Sequence, residues 1–157
     1  MDKKICFTSS SGGHFNQLYD LMSMYKGYDT VTITEKTNFS ERVLNDEKKY
    51  FFNTINRNEK TFLLKFFIYS IKIGWILLKE RPQIIISTGA LITVPVCYIG
   101  KLLGAKVIFV ESFAKVETPT LSGKLVYKIA DRVIVQWKEL LDYYKNDRKV
   151  IYGGTIY

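Results

Sequence analysis

Five consecutive residues, Ser10-Ser11-Gly12-Gly13-His14, carry the chemistry most readily read from this sequence. Glycines let a ligand approach backbone N–H groups, and serine hydroxyls add donors. A helix opening on such a run offers unpaired N–H groups and the positive end of its dipole to an anion. The competing reading is a tight strand-to-helix turn with capping serines. His14 is the only histidine. It would serve either as a general base for an attacking hydroxyl or as a helix-start residue bonded to a loop or a phosphate. The glycine spacing is not GxGxxG, and no acidic ribose anchor is recognised at the expected distance, which argues against a dinucleotide dehydrogenase.

Two further short runs belong with the first. Ser87-Thr88-Gly89-Ala90 and Glu111-Ser112 each follow an apolar, strand-like stretch. In an open α/β sheet, ligands bind beyond the carboxyl ends of the strands. Ser10, Ser11, Gly12, Gly13, Thr88, Gly89 and Ser112 are therefore candidate contacts for an acceptor or its phosphate. Glu111 is a second candidate base, and its alternative is a structural or helix-capping carboxylate. Cys6 and Cys97 read as small core residues, with no disulfide and no metal site expected.

The elements that must position these residues alternate along the whole chain. Strands are expected over 5–8, 29–34, 50–52, 84–86, 106–110, 132–135 and 150–152. Helices are expected over 14–25, 39–45, 61–79, 92–103, 121–130 and 137–144, with a loop over 113–120 beside the site. Ile84-Ile85-Ile86 lacks polar alternation, as a strand buried on both faces should. Repeated βα units predict one α/β domain over 1–157 with a mostly parallel, Rossmann-like sheet and helices on both faces.

The helix over 61–79 is the other unusual segment. Lys65, Lys72 and Lys79 recur every seven residues and share a stripe with Ile68, Tyr69, Trp75 and Ile76. The face expected to pack on the sheet is Leu63, Phe66, Phe67, Ser70, Ile71, Gly74, Leu77 and Leu78. Lysines with tryptophan suit a bilayer interface, where stems snorkel and charged heads meet phosphates. Arg57 and Lys60 extend the basic patch. A spanning helix is disfavoured, because Lys72 would sit near the bilayer centre at a cost of roughly 2.5–3.5 kcal/mol. Membrane docking through Lys65, Lys72, Trp75 and Lys79 competes with a solvated lysine row.

The net charge of +8 points to an anionic partner. A nucleic-acid module predicts basic and aromatic residues on a strand face, whereas the clearest basic cluster here lies on an apolar helix. No signal peptide is read at Met1-Asp2-Lys3-Lys4.

Further runs extend the pattern: Val110-Glu111-Ser112-Phe113-Ala114-Lys115-Val116, Leu121-Ser122-Gly123-Lys124-Leu125, Asp131-Arg132-Val133-Ile134-Val135-Gln136-Trp137 and Tyr152-Gly153-Gly154-Thr155-Ile156-Tyr157. With the glycine and Ser-Thr-Gly-Ala runs, the chain resembles the membrane-associated subunit of the eukaryotic two-part N-acetylglucosaminyltransferase that extends dolichol-linked GlcNAc. It is similar, more closely still, to bacterial relatives that assist capsular and exopolysaccharide glycosyltransferases. The resemblance implies the N-terminal half of a GT-B glycosyltransferase, similar to that domain of the peptidoglycan lipid-linked GlcNAc transferase. It implies a polyprenyl-diphosphate-linked sugar as acceptor and a separate subunit that binds the UDP-sugar. It implies inversion at the anomeric carbon, no cofactor or bound metal, and a peripheral location on the cytoplasmic face of the cell membrane. Gly153, Gly154, Thr155, Ile156 and Tyr157 lie where the second domain would begin, and so at the partner interface. The eukaryotic relatives carry an N-terminal membrane anchor that is not read here, so attachment would fall to the basic helix or to another protein. The alternative within the same family is a non-catalytic scaffold that recruits and activates the partner.

Overall fold

The computed structural model describes residues 3–44, 48–56, 58–145 and 147–156. Among these residues seven parallel strands form one sheet: β1 (Ile5–Ser9), β2 (Thr30–Glu35), β3 (Lys49–Phe52), β4 (Ile84–Gly89), β5 (Lys106–Val110), β6 (Arg132–Val135) and β7 (Val150–Tyr152). Their order is β3-β2-β1-β4-β5-β6-β7, and every adjacent pair is parallel. The helices are α1 (Gly13–Met22), α2 (Asn38–Val43), α3 (Phe62–Glu80), α4 (Thr93–Leu102), α5 (Leu121–Tyr127) and α6 (Glu139–Tyr143).

Alternate side chains of the strands feed two cores on opposite faces of the sheet. On one face Ile5, Phe7, Ile86 and Val110 pack against Leu18, Leu21 and Met22 of α1. On the other, Cys6, Ile85, Val107 and Val133 meet Ile73 and Leu77 of α3, Val96 and Cys97 of α4, Val126 of α5 and Leu140 of α6. The split follows from chain direction. From β1 the chain moves outward through β2 and β3, then crosses back to β4 and continues the other way. Right-handed crossovers place the helices of the two halves on opposite faces. The reversal leaves a crevice between the carboxyl ends of β1 and β4.

α3 is turned differently from the sequence expectation. Leu63, Phe67, Ile71 and Leu78, expected against the sheet, are 75%, 63%, 48% and 51% exposed. Leu77 faces inward as expected, but its inward companions are Ile73 and Glu80. Tyr69 and Ile76, expected beside the lysines, join the core, with the Tyr69 ring 5.0 Å from that of Phe52. The helix is apolar almost all round, so hydrophobicity alone does not choose a face. Glu80 does. Its carboxylate, only 1% exposed, receives Lys4 at 3.1 Å, Lys48 at 2.8 Å and the Tyr50 hydroxyl at 2.6 Å. Burial alone would raise the Glu80 pKa, but these three partners outweigh it and hold the group at about 2. Residues 73, 77 and 80 then face inward by helical periodicity.

Candidate functional site

β1 ends in Ser9, and the chain turns through Ser10, Ser11 and Gly12 into α1. Gly12 has φ of 73°, a left-handed conformation that favours glycine. α1 carries no side-chain cap, and a Cβ at Gly12 or Gly13 would meet nothing within 4 Å. The helix therefore opens onto free space with its positive dipole end. Across the crevice, β4 ends in Thr88 and Gly89. Two reciprocal bonds join the rims: Thr88 Oγ1 donates to the His14 carbonyl at 2.7 Å, and His14 Nδ1 lies 2.8 Å from the Thr88 carbonyl.

That second bond decides the chemistry of the imidazole. A carbonyl oxygen only accepts, so Nδ1 must carry the proton, and in the neutral ring Nε2 keeps its lone pair. The ring is half-buried. Gly89, at φ of 104°, lies against it: a Cβ there would stand 3.5 Å from His14 Cε1 and 3.3 Å from both Phe109 Cζ and Ser122 Oγ. His14 is thus held at one ring nitrogen with the other able to take a proton.

The third rim run joins through α5. Ser122 Oγ accepts from Ala90 N at 3.1 Å and lies 3.2 Å from Thr120 Oγ1. Thr120 N in turn donates to Glu111 Oε2 at 3.1 Å, and Ser112 N to Glu111 Oε1 at 2.8 Å. His14, Thr88 and Glu111 therefore stand on one rim, at the ends of β1, β4 and β5. Glu111, however, is 0% exposed. A Cβ on Gly123 would come within 2.1 Å of its Oε2. Burial pushes its pKa up, and the bonds from Ser112 and Thr120 only partly offset this. With both oxygens taken by backbone donors and no exposed surface, Glu111 fastens the loop over 112–120. Ser112 is half-buried and also receives Ala114 N at 3.3 Å.

Ser11 holds the clearest departure from expectation. Both its N–H and its hydroxyl donate to Glu35 Oε2, at 3.0 and 2.7 Å. Glu35 is the last residue of β2 and 8% exposed. Glu35 thus supplies, at the end of β2, an acidic partner for the glycine run that is not expected from the spacing. The signal was available, since β2 ends in Thr34-Glu35, but a run ending in one acid is common. With Glu35 occupying its donors, Ser11 is not open to an anion. Ser10 is buried, and its hydroxyl bonds to the Ser11 carbonyl at 3.3 Å.

Gln136, quoted in the sequence as part of a motif but given no role, links the rim to the tail. Its amide donates to the Glu111 carbonyl at 2.8 Å and accepts from Ile156 N at 3.0 Å. Gly153 N donates to the Val135 carbonyl at 3.0 Å, and Gly153 and Thr155 are exposed, Gly154 half-buried. Ile156 packs on the α1-side core, and Tyr157 lies outside the described residues.

The outer face of α3 is a continuous apolar strip. Leu64, Phe67, Ile71 and Trp75 are 61%, 63%, 48% and 72% exposed, with exposed Lys72 and Lys79 along one border. Lys65 is half-buried and paired with Glu59. Lys60 is exposed, whereas Arg57 lies outside the described residues. Monomer surfaces seldom present so many large apolar side chains together. A groove of about 420 Å³, lined by Tyr50, Asn53, Tyr69, Lys72 and Trp75, runs between α3 and the edge strand β3. Among the described residues no helix is long and apolar enough to cross a membrane, and no group of acidic, cysteine and histidine side chains could hold a metal.

Residues 5–155 match the family described as "Oligosaccharide biosynthesis protein Alg14 like". The "UDP-N-acetylglucosamine transferase subunit ALG14" of Candida albicans is 45% identical over 96 residues, covering 57% of this chain and 42% of that protein. The human protein of the same name is 33% identical over 84 residues, covering 50% and 38%. That of Cryptococcus neoformans is 28% identical over 181 residues, covering 93% and 77%. In the Candida and human matches this chain thus spans about two fifths of the relative's length. Among solved structures, Acinetobacter baumannii MurG superposes with a TM-score of 0.70 at 14% identity, over 87% of this chain and 42% of that one. A UDP-N-acetylglucosamine 2-epimerase from Rickettsia bellii gives 0.75 at 11%, over 99% and 46%. These two likenesses concern the fold: a Rossmann-like unit corresponding to less than half of each of those chains. By the match along nearly its whole length, the chain belongs to the Alg14-like oligosaccharide biosynthesis family.

Proposed function

We propose that this chain is the acceptor-binding, membrane-docking half of a two-subunit, UDP-sugar-dependent glycosyltransferase that extends a lipid-linked saccharide. The observation that carries the proposal is the His14–Thr88 clamp at the strand-order reversal, which leaves Nε2 free to accept a proton beside an open helix end. The relatives named as transferase subunits supply the reaction class. Their names as subunits support a partner polypeptide, which would carry the UDP-sugar.

The acceptor is a polyprenyl-diphosphate-linked sugar. Its lipid lies against the apolar face of α3 or in the groove beside it, and Lys72 and Lys79 meet anionic headgroups. Because Glu35 occupies Ser11, the diphosphate rests nearer Gly12, Gly13 and the dipole of α1. The attacking hydroxyl gives its proton to His14 Nε2 as its oxygen bonds to the anomeric carbon of the donor. The bond from that carbon to the UDP oxygen breaks, UDP leaves with the electron pair, and the configuration inverts. Thr88 orients the base. Glu111 holds the 112–120 loop in place and moves no proton. The tail at 153–156 and the exposed end of β7 face the partner, and the working location is the cytoplasmic surface of the membrane.

A transfer assay with this chain, the UDP-sugar-binding subunit, and both together tests the reading. Activity is expected only from the pair. His14→Ala in the pair should lower kcat by about 10²–10⁴-fold, the usual worth of a general base. Wild-type rates from that variant would leave this chain a scaffold, and sugar transfer by the purified chain alone would end the half-site account.

A further inference from the structure

Resting on that reading, we infer that Glu35 and Asn53 form a subsite for one hydroxyl of the acceptor sugar, and that Glu35 sets acceptor specificity. The Glu35 carboxylate is satisfied unevenly. Glu35 is 8% exposed and makes no ion pair among the described residues. Ser11 satisfies one carboxylate oxygen, Oε2, twice over, and among the described residues no donor reaches Oε1. In so largely buried a carboxylate, an oxygen without a protein donor gains more from a ligand donor than it would in open water.

The surroundings select the donor. Glu35 lines a notch with Asn53, Ile55, Phe66, Leu91 and Ile92. Its room for a water-sized group is about 10 Å³, close to the least that holds one water. One hydroxyl fits; a phosphate does not, and the carboxylate repels it. A divalent cation needs more oxygen ligands than one carboxylate and one amide supply. Phe66, Leu91 and Ile92 offer apolar contact to the C–H groups beside that hydroxyl, while Asn53 offers both a donor and an acceptor. The position fits the reaction as well. The notch touches the glycine run through Ser11 and the β4 rim through Leu91, and its Asn53 also lines the groove along α3. A lipid held on α3 therefore delivers its sugar here, between the membrane side and His14.

The test uses the two-subunit complex and short-chain polyprenyl-diphosphate monosaccharides bearing glucose, galactose or N-acetylglucosamine. The best acceptor is then compared with its monodeoxy analogues. In the wild type, loss of one particular hydroxyl should raise the acceptor KM about 10- to 100-fold, the worth of a hydrogen bond to a charged group. Glu35→Gln should raise KM for the intact acceptor by a similar factor and make it equal to that for the deoxy analogue, with the KM for UDP-sugar unchanged. Asn53→Ala, exposed and outside the sheet core, should give a smaller loss with the same selectivity. If Glu35→Gln folds, melts as the wild type and still discriminates every hydroxyl, the subsite is refuted while the transferase reading stands. If the variant melts early, calorimetric titration of wild-type chain with the intact and deoxy acceptors decides alone: equal affinity for all analogues overturns the subsite. Failure of the wild-type pair to use any lipid-linked saccharide would overturn the transferase reading and the subsite with it.

Discussion

If α3 docks on a bilayer, Phe67→Ser with Trp75→Ser should release the protein from vesicles without disturbing its fold. Both side chains point away from the core, at 63% and 72% exposed, so little packing is lost. Burying a large apolar side chain contributes about 1.5–3 kcal/mol, and roughly two thirds of that remains available at each site, or about 1–2 kcal/mol. The pair should therefore weaken partitioning by about 2–4 kcal/mol, between about 30- and 1000-fold. Co-sedimentation with vesicles of mixed neutral and anionic phospholipid at physiological salt measures this, and a melting curve checks the fold. Lys72→Glu with Lys79→Glu forms the electrostatic arm. Each lysine near the surface is worth about 1 kcal/mol, and reversal should cost at least that. The effect should fade at high salt, while the serine effect should not. Vesicle binding of the serine variant equal to that of the wild type would show that the exposed strip faces something other than lipid.

Other consequences follow from the rim and the base of the sheet. Thr88→Val removes the hydroxyl that bonds the His14 carbonyl; it should cost about 0.5–1.5 kcal/mol in stability and lower kcat in the paired enzyme more than KM. Gly89→Ala meets both a left-handed backbone and 3.3 Å contacts to Phe109 and Ser122, so it should lose about 1–3 kcal/mol by chemical denaturation. Gly123→Ala drives a Cβ into the enclosed Glu111 carboxylate and should cost 2 kcal/mol or more, on the order of overpacking penalties. Glu80, held at about 2 against an ordinary value of 4.5, contributes roughly 3 kcal/mol above pH 4.5. Because its folded pKa is the lower one, that contribution is lost as pH falls from about 4.5 towards 2. Urea midpoints across this range should fall steeply in the wild type and less in Glu80→Gln.

Much of the sheet was legible because the strands announce themselves. Runs such as Ile84-Ile85-Ile86 and Val107-Ile108-Phe109 have no polar alternation, as strands covered on both faces require. Loops after successive parallel strands share a rim, so grouping His14, Thr88 and Glu111 needed only the element order. What failed were matters of rotation and partnership. The α3 face was set by Glu80 meeting Lys4 and Lys48, residues 76 and 32 positions away, which no local periodicity reveals. The rotation left the membrane-facing assignment of Lys72, Trp75 and Lys79 on the surface but moved Tyr69 and Ile76 into the core. Glu111 looked like a base because it follows an apolar strand; only the approach of Gly123 and the Ser112 and Thr120 amides reveals its enclosure. Ser11 looked like an anion ligand, and Glu35 had already taken its place.

The placement of β1 between β2 and β4 governs how the molecule is made. His14 and the carbonyl that holds its ring are 74 residues apart. During synthesis the glycine run and its histidine emerge early, yet β1 lacks one neighbour until residues 84–89 have left the ribosome. Until then the apolar edge of β1 is open to wrong pairing, the hazard of sheets built from distant strands. A nascent fragment ending before β4 should therefore be captured by chaperones. One extending past β5 should already possess the clamped imidazole, ahead of any meeting with a partner.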